Sequence, residues 1–209
     1  EKERFDVFSL LESSTPTIFE QIEGNQFSGN NIFNDNADYK IYVATYPSGV
    51  YSHTSTLIYD KSIFTSQNGQ LSEDKTLMLA YPSTLNENTK FSFRHSTALL
   101  MPKFRVQGAT ENLSPAEIQT ITLKMPIDGG TADFNIDCTG HGAEDYIYVY
   151  LPTNEYKIVG IDKIEVVVTT RDAKIYDGEI NIGGTTLYAG KLYTANIWLT
   201  QKVFTNVIT

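Results

Sequence analysis

Three histidines, one cysteine and a scatter of carboxylates are the residues of this chain that could do chemistry, and their spacing serves chemistry poorly. A metal site wants two or three ligands at short spacing, as in His-Glu-x-x-His, and His53, His95 and His141 stand far apart with nothing of that kind around them. Cys138 and His141 lie three apart, and a thiolate–imidazole nucleophile is what such a pair could form. Cys138, however, continues the row Ala132, Phe134, Ile136, so it reads as a buried thiol acting as a small hydrophobe. A single cysteine excludes an intramolecular disulfide and any Cys-x-x-Cys zinc site. Glu144-Asp145 offers adjacent carboxylates, but a glycosidase pair is defined by its separation in space, and the plainer reading is solvated loop carboxylates. No Gly-x-Ser-x-Gly elbow, phosphate loop or Gly-x-Gly-x-x-Gly turn occurs. The expectation is a protein without catalytic residues, cofactor or metal.

His95 is the titratable residue in the most ordered surroundings. In Phe91 to Val106, FSFRHSTALLMPKFRV, every second residue gives Phe91, Phe93, His95, Thr97 and Leu99 on one face. Ser92, Arg94, Ser96, Ala98 and Leu100 fall on the other. A period of two is the pattern of a strand with one buried side, so His95 is expected as a core histidine bonded to a carbonyl or hydroxyl. Pro102 cannot donate to a ladder, which predicts a kink or an edge before Phe104 and Val106 resume.

The elements that must position these residues read as strands. Hydrophobic residues make up 41% of the 209, enough for a core, and 13 Tyr and 11 Phe with abundant Thr suit pleated, half-buried surfaces. A net charge of −9, evenly spread, argues against nucleic acid and against an anionic membrane surface as ligand. No apolar run reaches the ~18 residues of a membrane helix, and none reads as a signal peptide. Phe5 to Leu11 alternates as a short opening strand; 24–38 reads as loop. Lys40 to Tyr46, Tyr51 to Tyr59, Ser62 to Thr65 and Thr76 to Tyr81 read as strands, with Asn68-Gly69 a hairpin signal. The polar run 83–90 reads as a connector, dividing the chain into domains 1–88 and 89–209.

Beyond it, Ser114, Pro115 and Glu117 form a capping box, so one short helical turn is expected near Ser114–Ile118. Alternation returns in Ile121, Leu123, Met125 and Ile127, in Ala132 to Cys138 and in Lys163 to Thr170; Asp145 to Leu151 reads as a strand apolar on both sides, ended by Pro152, and Leu192 to Thr200 as the last strand. Tyr146, Tyr148 and Tyr150 share one face of their strand, which suits either sugar binding or cover by a partner sheet. About eleven strands with turns every eight to twelve residues give an all-β chain of sandwiches or barrels.

Several of these stretches are similar to one family. Phe-Ser-Phe-Arg-His-Ser-Thr-Ala-Leu-Leu at 91–100 resembles the Phe-x-His-x-x-Ala strand of fimbrillin-like proteins, surface pilus subunits and adhesins of anaerobic Gram-negative bacteria. Leu187 to Leu199 resembles the family's Gly-x-x-Tyr strand near the C-terminus, Tyr148 to Pro152 its Leu-Pro strand end, and Leu79-Ala80-Tyr81 the close of the first domain. The resemblance covers about residues 77–200. It implies two tandem transthyretin-like β-sandwich domains, with Phe91, Phe93, His95, Tyr193 and Trp198 as the family-motif core. It also implies assembly by strand exchange: an N-terminal strand is removed and a neighbour's strand fills the slot, the donor here being the tail around Val203 and Val207. The partners implied are other pilus subunits or a surface receptor of host or bacterium. The location implied is extracellular, on the outer-membrane surface or fimbrium, with any lipid anchor lying upstream of Glu1. A carbohydrate-binding surface lipoprotein is the alternative.

Overall fold

A computed structural model describes residues 2–9, 15–29, 41–53, 57–59, 62–72, 75–82, 85–86, 88–127, 130–152, 163–183 and 187–203. Strand is their dominant secondary structure, helix being confined to short turns, and the chain falls into two compact units, one of 1–61 with 72–97, the other of 62–71 with 98–209. The protein is all-β.

The first unit is built on a six-stranded sheet. Its strands are β1 (Arg4–Ser9), β2 (Thr17–Glu23), β3 (Gln26–Ser28), β4 (Tyr42–Tyr46), β8 (Met78–Ala80) and β9 (Arg94–His95), in the order β3-β2-β1-β4-β8-β9. All the pairs are antiparallel. A separate hairpin joins β5 (Tyr51–His53) to β6 (Leu57–Tyr59), so the expected strand from Tyr51 to Tyr59 is two short ones folded back on each other. β1 and β4 are buried on both faces, which is why RFDVFS and YVATY do not show a clean alternation of apolar and polar residues.

The second unit holds α1 (Ser62–Thr65), β7 (Ser66–Gln67), β10 (Thr97–Val106), β11 (Ile118–Ile127), β12 (Gly130–Asp137), β13 (Val149–Pro152), β14 (Lys163–Thr170), β15 (Ile175–Asn181) and β16 (Leu192–Gln201). They form one eight-stranded sheet in the order β13-β10-β16-β15-β14-β11-β12-β7, with β10–β16 and β12–β7 parallel. Ile121, Leu123, Met125, Phe134, Ile136, Ile164, Val166, Val168, Ile197 and Leu199 point inward and are fully buried, as their alternation predicts. The first and last strands of the order meet: the Gln67 amide donates to Tyr150 O at 3.1 Å and accepts from Tyr150 N at 2.8 Å, and Tyr148 N donates to Gly69 O at 2.7 Å. One side chain thus stands in for a missing ladder rung and draws the sheet edges together.

Pro115–Glu117 is a single 3-10 turn, with Ser114 Oγ accepting from Ala116 N and Glu117 Oε2 accepting from Ser114 N at 2.8 Å, the capping box expected from sequence. Two expectations about this unit need correcting, and one strand was not expected. Ser62–Thr65 is a helical turn, not a strand; four residues are too few for period to decide. Asn68-Gly69 does turn the chain, with Gly69 at φ +70°, but β7 before it pairs parallel to β12, so no hairpin forms there. Gly69 is held close: a Cβ there would meet His141 Nε2 at 2.8 Å. β15 was absent from the expected strands because Gly178 interrupts its inward row.

Candidate functional site

The six-stranded sheet has its N-terminal strand in the interior rather than at an edge. β1 pairs with β2 through Phe5–Phe19 and Val7–Thr17, and with β4 through Val7–Ala44 and Phe8–Val43. Phe5, only 2% exposed, is the hub of an aromatic cluster. Its ring stacks on Phe19 at 5.2 Å and meets Phe27, Phe91 and Phe93 edge-on at 4.9, 4.8 and 5.3 Å. Edge-on and offset contacts at these distances suit the ring quadrupole. Phe91 and Phe93 are half-buried, stack on one another at 6.3 Å, and belong to no strand. Beside them opens a groove of about 900 Å³ lined by Phe5, Ile22, Phe27, Tyr46, Met78 and Lys90.

The other face of β1 carries Asp6 and Phe8. The buried Asp6 carboxylate accepts from Ser48 Oγ and from Gly49 N, both at 2.6 Å, in a turn where Gly49 takes φ +81°. Two charge-assisted bonds compensate its loss of water. Phe8 sits 6.3 Å from the ring of buried His53. On the surface Arg4 reaches its cross-strand partner Glu20 at 2.7 Å, and this guanidinium holds the Glu20 carboxyl below its ordinary 4.5. Packing around β1 is good in its apolar parts and incomplete in its polar parts. The buried hydroxyls of Ser9, Thr17 and Thr45, on β1 itself and on the two strands flanking it, have no hydrogen-bond partner among the described residues.

The residues singled out in sequence are placed as follows. Phe91 and Phe93 join the Phe5 cluster. His95 does not accompany them: it is exposed, in β9 opposite Met78. The phase of burial changes after it, with Ser96, Thr97 and Ala98 all buried, because here the chain leaves the sheet of the first unit for that of the second. Ser96 fixes this point, its N donating to Leu77 O at 2.8 Å and its hydroxyl lying 3.1 Å from that of Tyr51. Tyr193 is half-buried, its hydroxyl accepting from Tyr188 N at 2.7 Å. Trp198 is 59% exposed on the outer face of β16, so it too lies outside the core, where Ile197 and Leu199 are buried instead. Val203 is 80% exposed, and Val207 falls outside the described residues.

Cys138 is buried, its thiol bonded only weakly to Ile136 O at 3.8 Å, and burial pushes its pKa up to about 12. It therefore carries almost no thiolate near neutrality. Buried His141 has Nε2 3.0 Å from Asn68 O and Nδ1 3.9 Å from the Asp145 carboxylate. That imidazole braces the 68–69 turn against the 138–145 loop, whose carbonyls at Thr139 and His141 also accept from Arg171. No group of three or more His, Cys, Asp or Glu able to hold a metal occurs among the described residues. Of the three tyrosines at 146, 148 and 150, Tyr150 is buried and Tyr146 exposed, so they do not present a common face.

The internal position of β1 and the clamp on Asp6 were not read from sequence. A lone Asp in the apolar run FDVF was the available signal; its partners lie more than forty residues on.

No protein-family model matches the chain, and no curated protein matches it. Eight chains of known structure do match. A candidate cell adhesion protein of Bacteroides uniformis aligns over 97% of this chain and 90% of its own, at 14% identity and a TM-score of 0.48. A fimbrial protein of Bacteroides ovatus aligns over 98% of this chain and 46% of its own, at 11% identity and a TM-score of 0.39. The tip fimbrial protein Mfa3 of Porphyromonas gingivalis, truncated at its C-terminus, aligns over 95% and 92%, at 13% identity and a TM-score of 0.39.

Proposed function

We propose that this protein is a cell-surface fimbrial subunit or adhesin that works by strand exchange and turns over no substrate. The observation that carries the proposal is the place of β1. This strand fills the middle of a sheet, paired on both sides. Its departure would bare two unpaired edges, on β2 and β4, and the aromatic cluster of Phe19, Phe27, Phe91 and Phe93. Unpaired edges beside an apolar groove are what an incoming strand satisfies. The unbonded hydroxyls of Ser9, Thr17 and Thr45 favour exchange further, since each buried hydroxyl without a partner costs about 1–3 kcal/mol and leaves β1 less than an optimal occupant. The donor is the tail from Val203 through Val207 of another copy, and the partners are other subunits or a surface receptor.

The two units stand as tandem transthyretin-like sandwiches in this reading, and the protein acts outside the cell. The chain has no Lys or Arg between Arg4 and Lys40, so a protease specific for basic residues leaves β1 joined to β2. Opening the slot therefore calls for another cleavage specificity or for direct displacement of β1.

Light scattering on a chain lacking residues 1–9 tests the proposal. Oligomers are expected, reverting to monomer when a peptide of residues 1–9 is added or when Val203→Asp and Val207→Asp are introduced. A shortened chain that stays monomeric, or whose oligomers ignore both the peptide and the tail variant, overturns it.

A further inference from the structure

The geometry points to a binding site for a neutral glycan on the outer face of the second unit, with Trp198 as its platform. This inference stands apart from strand exchange, since the site lies wholly within the second unit and needs no second copy.

Trp198 is the chain's single tryptophan. It projects from a row of polar side chains, Thr194, Asn196 and Thr200, while its neighbours Ile197 and Leu199 are fully buried. More than half of this indole is left in water. It is nonetheless held in place: the Arg105 guanidinium, directly across the β10–β16 ladder, lies 5.4 Å from the ring centroid, and Arg105 Nε donates to Asn112 Oδ1 at 3.3 Å. One side of the indole is thus braced from β10. On the other side, toward β15, lies a depression of about 590 Å³. There the β15–β16 ladder consists of Tyr176–Gln201 and Asp177–Thr200 alone among the described residues. Beyond those rungs the outward side chains of Glu179, Asn181 and Asn196 line the depression with Trp198. The volume falls in the range of small-ligand sites, about 300–1,000 Å³.

The polarity of the depression selects the ligand. Each of its carboxylates has an ammonium within reach: Glu165 with Lys124 at 2.9 Å, Asp177 with Lys202 at 2.8 Å, and Glu179 with Lys163 at 2.6 Å. Among the described residues no uncompensated charge remains on this patch to recruit an anion or a cation, and the net charge of −9 repels polyanions at longer range. Among the described residues Trp198 and half-buried Val167 are the only outward apolar side chains lining it. That is too little for the apolar centre of a stable protein interface, which needs about 1,000 Å² or more. A pyranose ring fits the description: a C–H face to lie on the indole, and hydroxyls around its rim to meet Asn181, Asn196 and the carboxylate oxygens. An aromatic plate with a polar surround is matched by a ligand that is apolar on its face and polar at its edge.

Because the tryptophan is unique, its fluorescence reads the site directly. The full chain is titrated with hexasaccharides of β-1,4-glucose, β-1,3-glucose, β-1,4-N-acetylglucosamine and β-1,4-mannose. At least one is expected to give a saturable change in Trp198 emission, with a Kd of about 0.1–1 mM, unaltered between low and high salt. By calorimetry, Trp198→Ala is expected to weaken it at least about tenfold, Asn196→Ala several-fold, and Trp198→Tyr, which keeps a plate and a polar tip, only slightly. The inference is overturned by the absence of saturable binding across the panel up to about 10 mM, or by binding that survives Trp198→Ala. Binding that collapses in high salt overturns it too, as does a patch that engages only proteins. Oligomerisation of the chain lacking residues 1–9 is a separate readout, so failure here leaves strand exchange to its own test.

Discussion

Removing the Phe5 ring should cost the first unit a large part of its stability. Phe5 is 2% exposed, and Phe→Ala at such sites costs about 3–5 kcal/mol, through lost transfer energy and the cavity left behind. Four aromatic partners between 4.8 and 5.3 Å place it in the upper half of that range, because each ring pair adds about 0.5–1.5 kcal/mol beyond area and part of this overlaps the transfer term. The groove already open beside the ring lets the cavity merge with solvent, which trims the penalty. The expected loss is therefore about 4 kcal/mol, against a total of about 5–15 kcal/mol for an ordinary domain. Urea denaturation followed by far-UV circular dichroism measures it, with Phe27→Ala as the comparison, since Phe27 is only half-buried and should cost less than half as much. A Phe5→Ala loss under about 1 kcal/mol, or one no larger than that of Phe27→Ala, would refute the reasoning that β1 is anchored through this ring.

Three further expectations follow from the same geometry. Thr45→Val replaces a fully buried, unbonded hydroxyl with a methyl of the same shape and should stabilise the protein by about 1 kcal/mol in urea denaturation; a loss of that size would mean the hydroxyl has a partner. Gln67→Ala removes two bonds to the Tyr150 backbone and one to Phe64 O, so a loss of about 2–4 kcal/mol is expected, with faster hydrogen exchange at Tyr150 N; unchanged exchange there would contradict the closure of the sheet. For pH, the carboxyls of Glu20, Glu165 and Asp172 are held below their ordinary 4.5, 4.5 and 3.8 by their basic partners, chiefly through side-chain hydrogen bonds. Their contribution is present above those values and lost as pH falls through the lowered ones. Lys124, Lys163 and Lys174 are raised above 10.5 by Glu165, Glu179 and Asp172, so their contribution is present below 10.5 and lost as pH rises through the raised values. Tm should therefore fall at both extremes, modestly because every pair is exposed, and both losses should shrink in high salt; an effect on neither limb would contradict the pairing.

Much of the second unit was legible because its strands bury one face against the core. Ile121, Leu123 and Met125, then Ile164, Val166 and Val168, keep a strict period of two, and that is a geometric consequence of the pleat. Ser114, Pro115 and Glu117 were equally legible, since a capping box is local. β15 was not, because its inward row reads Tyr176, Gly178, Ile180. Gly178 is there because Ile197 and Leu199 already occupy the space its Cβ would need, at 2.8 and 2.9 Å, and that pressure comes from another strand. A single period-two phase carried across residues 95–98 puts His95 inside, whereas each sheet sets its own phase and His95 is exposed. The exposure of Trp198 could have been read from Thr194, Asn196 and Thr200 in its row; grouping it with a motif hid that signal. Nothing in FDVF could reveal that Ser48 and Gly49 supply the donors for Asp6.

Hydrogen exchange on the chain lacking residues 1–9 tests the central claim most directly. Alternate amides of β2 and β4 face β1 in the intact protein, at Phe19 opposite Phe5 and at Val43 opposite Phe8 among others, and they should lose protection when it is removed. Adding a peptide of residues 199–209 should restore protection at both strands, and the same peptide with Val203→Asp and Val207→Asp should not. Protection that returns with a peptide of residues 1–9 but never with the tail would contradict the account.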